Sequence, residues 1–180
     1  FKIGYRQDQP PLSFLDKDST PAGYSIDLCK LIAAEVETKI GGTVAIEYVP
    51  VTAAERFNAL SDNRIDILCG STTKTLSRGE LVDFTQLTFV TGAAFMILKD
   101  TKIMNNFNGK KIGVVKGTTT EAALRGLFQE TAINADIVLL NATAAGRTAL
   151  EKGEIDAFAA DQVVLIGQAL AAANQENFAI

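Results

Sequence analysis

An α/β fold made of two similar halves is predicted for this chain, and three observations predict it. First, the sequence repeats itself. Ala59-Leu60-Ser61-Asp62-Asn63-Arg64-Ile65-Asp66-Ile67-Leu68 has the same pattern as Ala149-Leu150-Glu151-Lys152-Gly153-Glu154-Ile155-Asp156-Ala157-Phe158. Each reads as the end of a helix, a polar turn and a short apolar strand opening with Ile-Asp. Second, Lys2-Ile3-Gly4-Tyr5 and Lys111-Ile112-Gly113-Val114 echo one another in the same order. Third, strand-like and helix-like segments alternate through both halves. That alternation is the mark of parallel-rich sheets flanked by helices and joined by right-handed crossovers. With no linker or low-complexity segment in sight, the boundary is placed in the β-rich run at residues 89–99, giving one lobe at 1–92 and a second at 93–180.

The elements follow in order. Residues 2–5 read as a strand, and Pro10-Pro11 then breaks any helix, leaving a loop through Gly23. Ser25 or Asp27 is positioned to cap a helix that runs to about Ile40. Its apolar face is Leu28, Ile32 and Val36 at i, i+4 and i+8, and Gly41-Gly42 stops it. Residues 43–49 alternate as a strand does, and Thr52 caps a short helix through Leu60. The first Ile-Asp strand spans residues 65–68, and residues 76–80 make about one helical turn. In the second half, residues 111–115 form a strand and Thr118 or Thr119 caps a helix to about Glu130. Residues 137–140 form a strand, and Thr143 caps a helix ending at Gly153. The second Ile-Asp strand is at 155–159, Asp161 opens an Ala-rich helix to about Ala173, and residues 178–180 start a further strand.

Composition narrows the function. The 180 residues carry a net charge of −4, which argues against a nucleic-acid partner, since phosphate recognition needs a basic surface. No apolar run is long enough to span a bilayer, so direct membrane insertion is not expected. There is no histidine. That removes Ser-His-Asp and Cys-His catalytic sets and the commonest zinc ligand, so neither a metal nor a cofactor is expected. Cys29 and Cys69 are most simply two buried small hydrophobes; a bridge between them is possible but cannot be deduced from sequence.

The polar stretches lie where ligands bind in such folds, beyond the carboxyl ends of the strands. Gly70-Ser71-Thr72-Thr73 follows the first Ile-Asp strand and offers backbone N–H groups and hydroxyls to an anion, with Arg78 close by to grip a carboxylate. It reads equally as a helix cap followed by a surface arginine. Gly117-Thr118-Thr119-Thr120-Glu121 is the matching device in the second half, and also has the spacing of a capping box. Neither stretch is a nucleoside triphosphate loop. Asp161 sits where a strand becomes a helix, as a cap or as a partner for an ammonium group. One cation and one anion presented from two lobes are what a zwitterionic amino acid requires. Arg6 and Arg56 are surface charges or, if they join the site, call for a second carboxylate on the ligand.

Taken together these residues resemble the type II periplasmic solute-binding proteins of the polar amino-acid family. Gly23-Tyr24-Ser25-Ile26-Asp27-Leu28, residues 52–60, residues 65–78 and the second Ile-Asp segment match its pattern, in order, over nearly the whole chain. Cys69-Gly70-Ser71-Thr72-Thr73 is most similar to the glutamate/aspartate-binding branch. The resemblance implies a two-lobed periplasmic-binding-protein-like fold with the ligand in the cleft, binding without catalysis, and delivery to the membrane permease of an ABC transporter. It also implies an extracytoplasmic location. The chain enters a strand at once from Phe1, which is expected of a processed or trimmed chain.

Residue by residue, the resemblance implies that Arg78 holds the ligand α-carboxylate with help from the Thr73 backbone, and that Ser71 and Asp161 receive the α-ammonium. Thr118 and Thr119 contact the ligand from the second lobe, Arg6 and Arg56 take the side-chain carboxylate, and Tyr5 or Phe14 supplies an apolar wall. Two positions depart from the branch, which carries a serine near Ala53 and a histidine near Thr143. A broad-specificity amino-acid binder, the sensing domain of a receptor, and a cyclohexadienyl-dehydratase-like enzyme using Glu121 are the alternatives. The family also continues beyond this length with a strand and helices returning to the first lobe, so that lobe is expected to lack its return segment.

Overall fold

In the computed structural model, which describes residues 1–101, 103 and 106–180, the chain falls into two units, Phe1–Val90 and Thr91–Ile180. The first opens with β1 (Lys2–Tyr5) and then three short strands, β2 (Asp8–Gln9), β3 (Ser13–Leu15) and β4 (Pro21–Ala22). These three pair antiparallel as β2-β3-β4. The sequence reading makes this stretch a loop, because strands of two or three residues are too short for a period of two to register.

Next come α1 (Tyr24–Ile40), β5 (Glu47–Pro50), α2 (Arg56–Ser61), β6 (Ile67–Cys69) and α3 (Leu76–Gly79). Strand β1 is central in a parallel sheet of order β5-β1-β6, with Ile3 opposite both Tyr48 and Ile67. Its core joins Ile3, Tyr5, Ile26, Cys29 and Cys69.

Further expectations for this unit need correction. The N-cap of α1 is Gly23, at φ 116°, and not Ser25 or Asp27. A Cβ at Gly23 would lie 2.6 Å from the Leu12 carbonyl oxygen, so close backbone approach sets the start of the helix. The buried stripe of α1 is Ile26, Cys29 and Ala33, not Leu28, Ile32 and Val36. Leu28 and Ile32 instead line a cavity with Leu60 and Phe84. The third concerns the cysteines, which form a disulfide: Cys29 on α1 is bonded to Cys69 at the end of β6, with their Cα atoms 6.4 Å apart. Both are buried, as expected, but they are not free thiols. Helix α1 ends at Gly41 in the left-handed conformation, its N–H donating to the Glu37 carbonyl, as the Gly-Gly stop predicts. Thr52 and Glu55 form a reciprocal pair at 3.3 and 3.4 Å, so Thr52 caps the turn before α2 rather than α2 itself.

The second unit runs β7 (Ala93–Leu98), β8 (Lys111–Val115), α4 (Thr119–Glu130), β9 (Asp136–Leu140), α5 (Thr143–Glu151), β10 (Ala157–Asp161), α6 (Gln162–Leu170) and β11 (Phe178–Ala179). Its sheet has the order β11-β7-β10-β8-β9. Strands β8, β9 and β10 are parallel, as the alternation predicts, whereas β7 runs antiparallel to both β10 and β11. Strand β7 precedes the first helix of its unit, so no βαβ crossover fixes its direction. Thr143 is the first residue of α5 rather than its cap, which is Ala142, and it is 1% exposed. Helix α5 comes so near β10 at Gly146 that a Cβ there would meet the Phe158 ring at 2.4 Å. Among the described residues no helix is long and apolar enough to cross a membrane.

The internal repeat has a counterpart in atoms. Asp66 accepts the Lys2 N–H at 2.7 Å, and Asp156 accepts the Lys111 N–H at 2.8 Å. In return the Asp66 N–H donates to the Lys2 carbonyl and the Asp156 N–H to the Lys111 carbonyl. The turn before each is left-handed, at Asn63 (φ 56°) and at Gly153 (φ 69°). Ile65 packs over Gly4, where a Cβ would come within 2.4 Å, and Ile155 packs over Gly113, where the distance would be 2.6 Å. The Lys-x-Gly and Ile-Asp segments are thus two halves of one joint, made once in each unit.

Candidate functional site

Each unit presents polar groups where its strands end. In the first unit, β1 delivers Arg6, whose backbone N–H donates to Ser13 Oγ at 2.9 Å. The side chain is 6% exposed, and one Nη stands 3.6 Å from Asp8 Oδ1. Burial pushes its pKa below the ordinary arginine value, while Asp8 and then Glu55 act in the opposite direction. Arg56 opens α2 and is 4% exposed. Its pKa falls to about 10, first through burial, then through the positive charges of Arg78 and Arg6. The surface-charge alternative for Arg6 and Arg56 is therefore excluded: both are buried cations.

Strand β6 leads into Gly70 and Ser71. The Gly70 carbonyl accepts from Ser25 Oγ at 3.1 Å, and Ser71 Oγ donates to Gln9 Oε1 at 2.9 Å. The disulfide at Cys69 ties this strand end to α1 one residue before the polar stretch begins. Arg78 lies in α3, whose cap is Thr75. Its Nη1 donates to the Thr73 carbonyl at 2.8 Å, folding the guanidinium back over residues 73–78.

Arg56 and Arg78 meet on one aromatic ring. The Phe57 centroid lies 4.4 Å from Arg56 Cζ and 5.4 Å from Arg78 Cζ. Sequence reasoning missed Phe57, and also Gln9, which is 7% exposed. The available signal for Phe57 was its place next to Arg56; nothing in the sequence points to Gln9 before the β2–β6 proximity is known. Of the two aromatic candidates for an apolar wall, Tyr5 belongs to the core, edge-on to Tyr48 at 6.2 Å, while Phe14 is half-buried on β3. This unit brings together Arg6, Arg56, Arg78, Ser71 and Thr73. The three cations and the hydroxyls form an electropositive, partly desolvated surface suited to carboxylates.

In the second unit, Thr118 and Thr119 stand where β8 gives way to α4. Thr118 Oγ1 donates to the Val115 carbonyl at 2.8 Å and accepts the Glu121 N–H at 3.2 Å. Glu121 Oε2 accepts the Gly117 N–H at 2.8 Å, and Glu121 Oε1 pairs with Arg125 at 3.1 Å. The capping-box reading of this stretch is correct, and it occupies Glu121, the carboxylate proposed for catalysis, with structural bonds. Thr119 is the first residue of α4 and half-buried. Asp161 ends β10 at the N-cap position of α6, yet its side chain makes no capping hydrogen bond. Helix capping therefore does not account for an aspartate there. Among the described residues there is no cluster of three or more acidic, histidine or cysteine side chains suited to a metal ion.

The fold is that of the type II periplasmic binding proteins. An ancestral arginine-binding protein bound to arginine superposes with a TM-score of 0.84 at 25% identity, over 99% of this chain and 76% of its own. The chain belongs to the bacterial extracellular solute-binding proteins, family 3, whose sequence profile matches residues 1–131. The glutamate/aspartate import solute-binding protein of Escherichia coli is 29% identical over 181 residues, which is 99% of this chain and 60% of that protein. The general L-amino acid-binding periplasmic protein AapJ of Rhizobium johnstonii is 30% identical over 169 residues, 92% of this chain and 49% of that one. The chain thus spans about half to three fifths of the length of these curated relatives.

Proposed function

We propose that this chain is the ligand-binding part of an extracytoplasmic solute-binding protein that takes an acidic amino acid, glutamate or aspartate, for delivery to an ABC-type membrane permease. The observation that carries this reading is the group of three arginines in the first unit, two of them buried. Burying Arg6 and Arg56 costs desolvation, and Arg56 also suffers repulsion from its neighbours. One α-carboxylate needs one arginine; a second carboxylate gives the other two a purpose. The likeness to the glutamate/aspartate import protein supports the same ligand class.

In this reading Arg78 grips the α-carboxylate in two parallel hydrogen bonds, with the Thr73 backbone beside it. Arg56 and Arg6 take the side-chain carboxylate, Arg6 releasing part of its hold on Asp8. Ser71 and Asp161 accept from the α-ammonium, and Thr118 and Thr119 add neutral contacts. The likeness to a general L-amino acid-binding protein favours a second reading, a broad-specificity binder in which Arg78, Ser71 and Asp161 serve every ligand and Arg56 and Arg6 serve few.

Calorimetric titration with glutamate, aspartate, glutamine, histidine and arginine at low salt separates the two. One-to-one binding of the acidic pair, lost in Arg56→Ala and Arg6→Ala, is the expected result. Comparable affinity for all five ligands, unchanged in those variants, rejects the acidic reading in favour of the broad one.

A further inference from the structure

We infer that Phe57 is a positioning and specificity-determining residue: its ring face holds the guanidinium groups of Arg56 and Arg78 in the arrangement that reads a ligand with two carboxylates. This rests on the acidic amino-acid reading above. The two Cζ atoms stand 4.4 and 5.4 Å from the ring centroid, both within reach of a cation–π contact. Arg56 is 4% exposed, so water screens its repulsion from Arg78 poorly. The face of the Phe57 ring places negative potential beside both groups.

A carboxylate would supply it, but would take the N–H edges that a ligand carboxylate must use and cancel the charge that attracts it. An aromatic face supplies negative potential to the flat side of a guanidinium and does not itself occupy the N–H edges used in planar, two-pronged recognition. A leucine would fill similar space with no such potential. Arg78 has a second anchor in the Thr73 carbonyl at 2.8 Å. The ring therefore couples an arginine already fixed to the backbone with the buried Arg56 beside it. Phe57 in this role does not touch the ligand; it sets the separation and orientation of two groups that do.

The test compares the unsubstituted chain with Phe57→Leu and Phe57→Tyr, and adds Phe57→Met should the leucine variant fail to fold. Two readouts are taken: dissociation constants for glutamate and glutamine, and the arginine Nε–Hε NMR spectrum of the ligand-free protein. The expected leucine variant keeps its glutamine affinity within about three-fold, loses glutamate affinity by about ten-fold, and loses two ring-shifted Nε–Hε signals. The tyrosine variant keeps both signals and recovers glutamate binding. Equal loss for glutamate and glutamine, or leucine as good as tyrosine, overturns the inference while leaving the acidic reading intact. A native chain that binds neither glutamate nor aspartate overturns the acidic reading and this inference with it, even if the ring-shifted signals are present.

Discussion

The two Ile-Asp joints are built alike and lead to different chemistry. Asp66 and Asp156 each hold the main-chain N–H of a lysine that opens the first parallel strand of their unit, Lys2 and Lys111. Ile65 and Ile155 each cover a glycine on that strand. Past the joint the likeness stops. In the first unit β6 ends in a cystine, a serine bonded to Gln9 and a path to Arg78, beside the buried cations Arg6 and Arg56. In the second, β10 ends in Asp161, and β8 is followed by Thr118 and Thr119 at the start of α4. The residues the two halves share are those the backbone needs, while the residues that differ include those proposed to meet the ligand. The scaffold is doubled and the side chains that follow it differ, cations in the first unit and a carboxylate with hydroxyls in the second.

The disulfide gives the largest expected difference between the units. It closes a loop with a sequence separation of 40 in the first unit, and the described residues hold no free cysteine. Chain entropy for a loop of that length predicts a loss of about 4 kcal/mol in the double variant Cys29→Ala, Cys69→Ala. Hydrogen exchange resolved by unit should show that loss in the first unit and little change in the second. A loss spread evenly over both would mean that they do not unfold separately.

Arg78 and Thr118 divide the site next. Removing one partner of a desolvated charge pair costs roughly 2–5 kcal/mol, whereas a neutral hydroxyl contact is worth about 1 kcal/mol. Arg78→Ala should therefore weaken glutamate binding far more than Thr118→Ala in the same titration. Equal effects would contradict the division of labour. Thr118→Ala should also lower stability by about 1 kcal/mol, because the residue caps α4 at 3.2 Å.

Arg56 should separate stability from binding. Its folded pKa, about 10, lies below the ordinary arginine value. A cation with a depressed pKa destabilises the fold at every pH below the folded value, and that cost is relieved only as pH rises above about 10 toward the ordinary arginine value. Arg56→Met should accordingly raise the ligand-free unfolding midpoint by an equivalent of about 1–2 kcal/mol, constant between pH 6 and 9, and abolish acidic-ligand binding. A variant that is less stable without ligand would show that Arg56 supports the fold by itself.

Much of the fold was legible because its cues are local. The Gly-Gly stop after α1, the bounds of β8 at Lys111–Val115 and the cap at Thr118 each follow from a few adjacent residues. What the sequence hid depends on distant neighbours. The pairing of Cys29 with Cys69 requires knowing that α1 packs on β6. The burial of Arg6 and Arg56 requires knowing what lies over them, and the stripe on α1 is offset because Cys29 and Ala33, both small, face the sheet while larger Leu28 and Ile32 line a cavity. Of the candidate site, the placement of residues 70–78 and 117–119 just past strand ends could be read directly. The shared ring at Phe57 could not, since its place next to Arg56 does not show that Arg78 returns to the same face.

The smallest expected effect tests the comparison itself. If Asp66 and Asp156 are the same joint, removing either should cost a similar, modest amount. Each carboxylate accepts one backbone N–H, at 2.7 and 2.8 Å, and each is partly open to water, which holds the loss near the lower end for a charged acceptor, about 1–1.5 kcal/mol. Asp156 has one extra tie, to Lys110 at 3.3 Å, worth a few tenths of a kcal/mol at a site so exposed. Asp66→Ala and Asp156→Ala should therefore fall within about 0.5 kcal/mol of one another in urea titrations, with Asp156→Ala the larger. The asparagine versions, which keep an acceptor, should fall between alanine and the native residue. A silent Asp66→Ala beside a costly Asp156→Ala would mean that the repeated letters no longer mark a repeated joint. The first unit would then owe its strand register to the disulfide and the core around Ile3, and the cations at its rim would stand on a scaffold different in kind from that of the second.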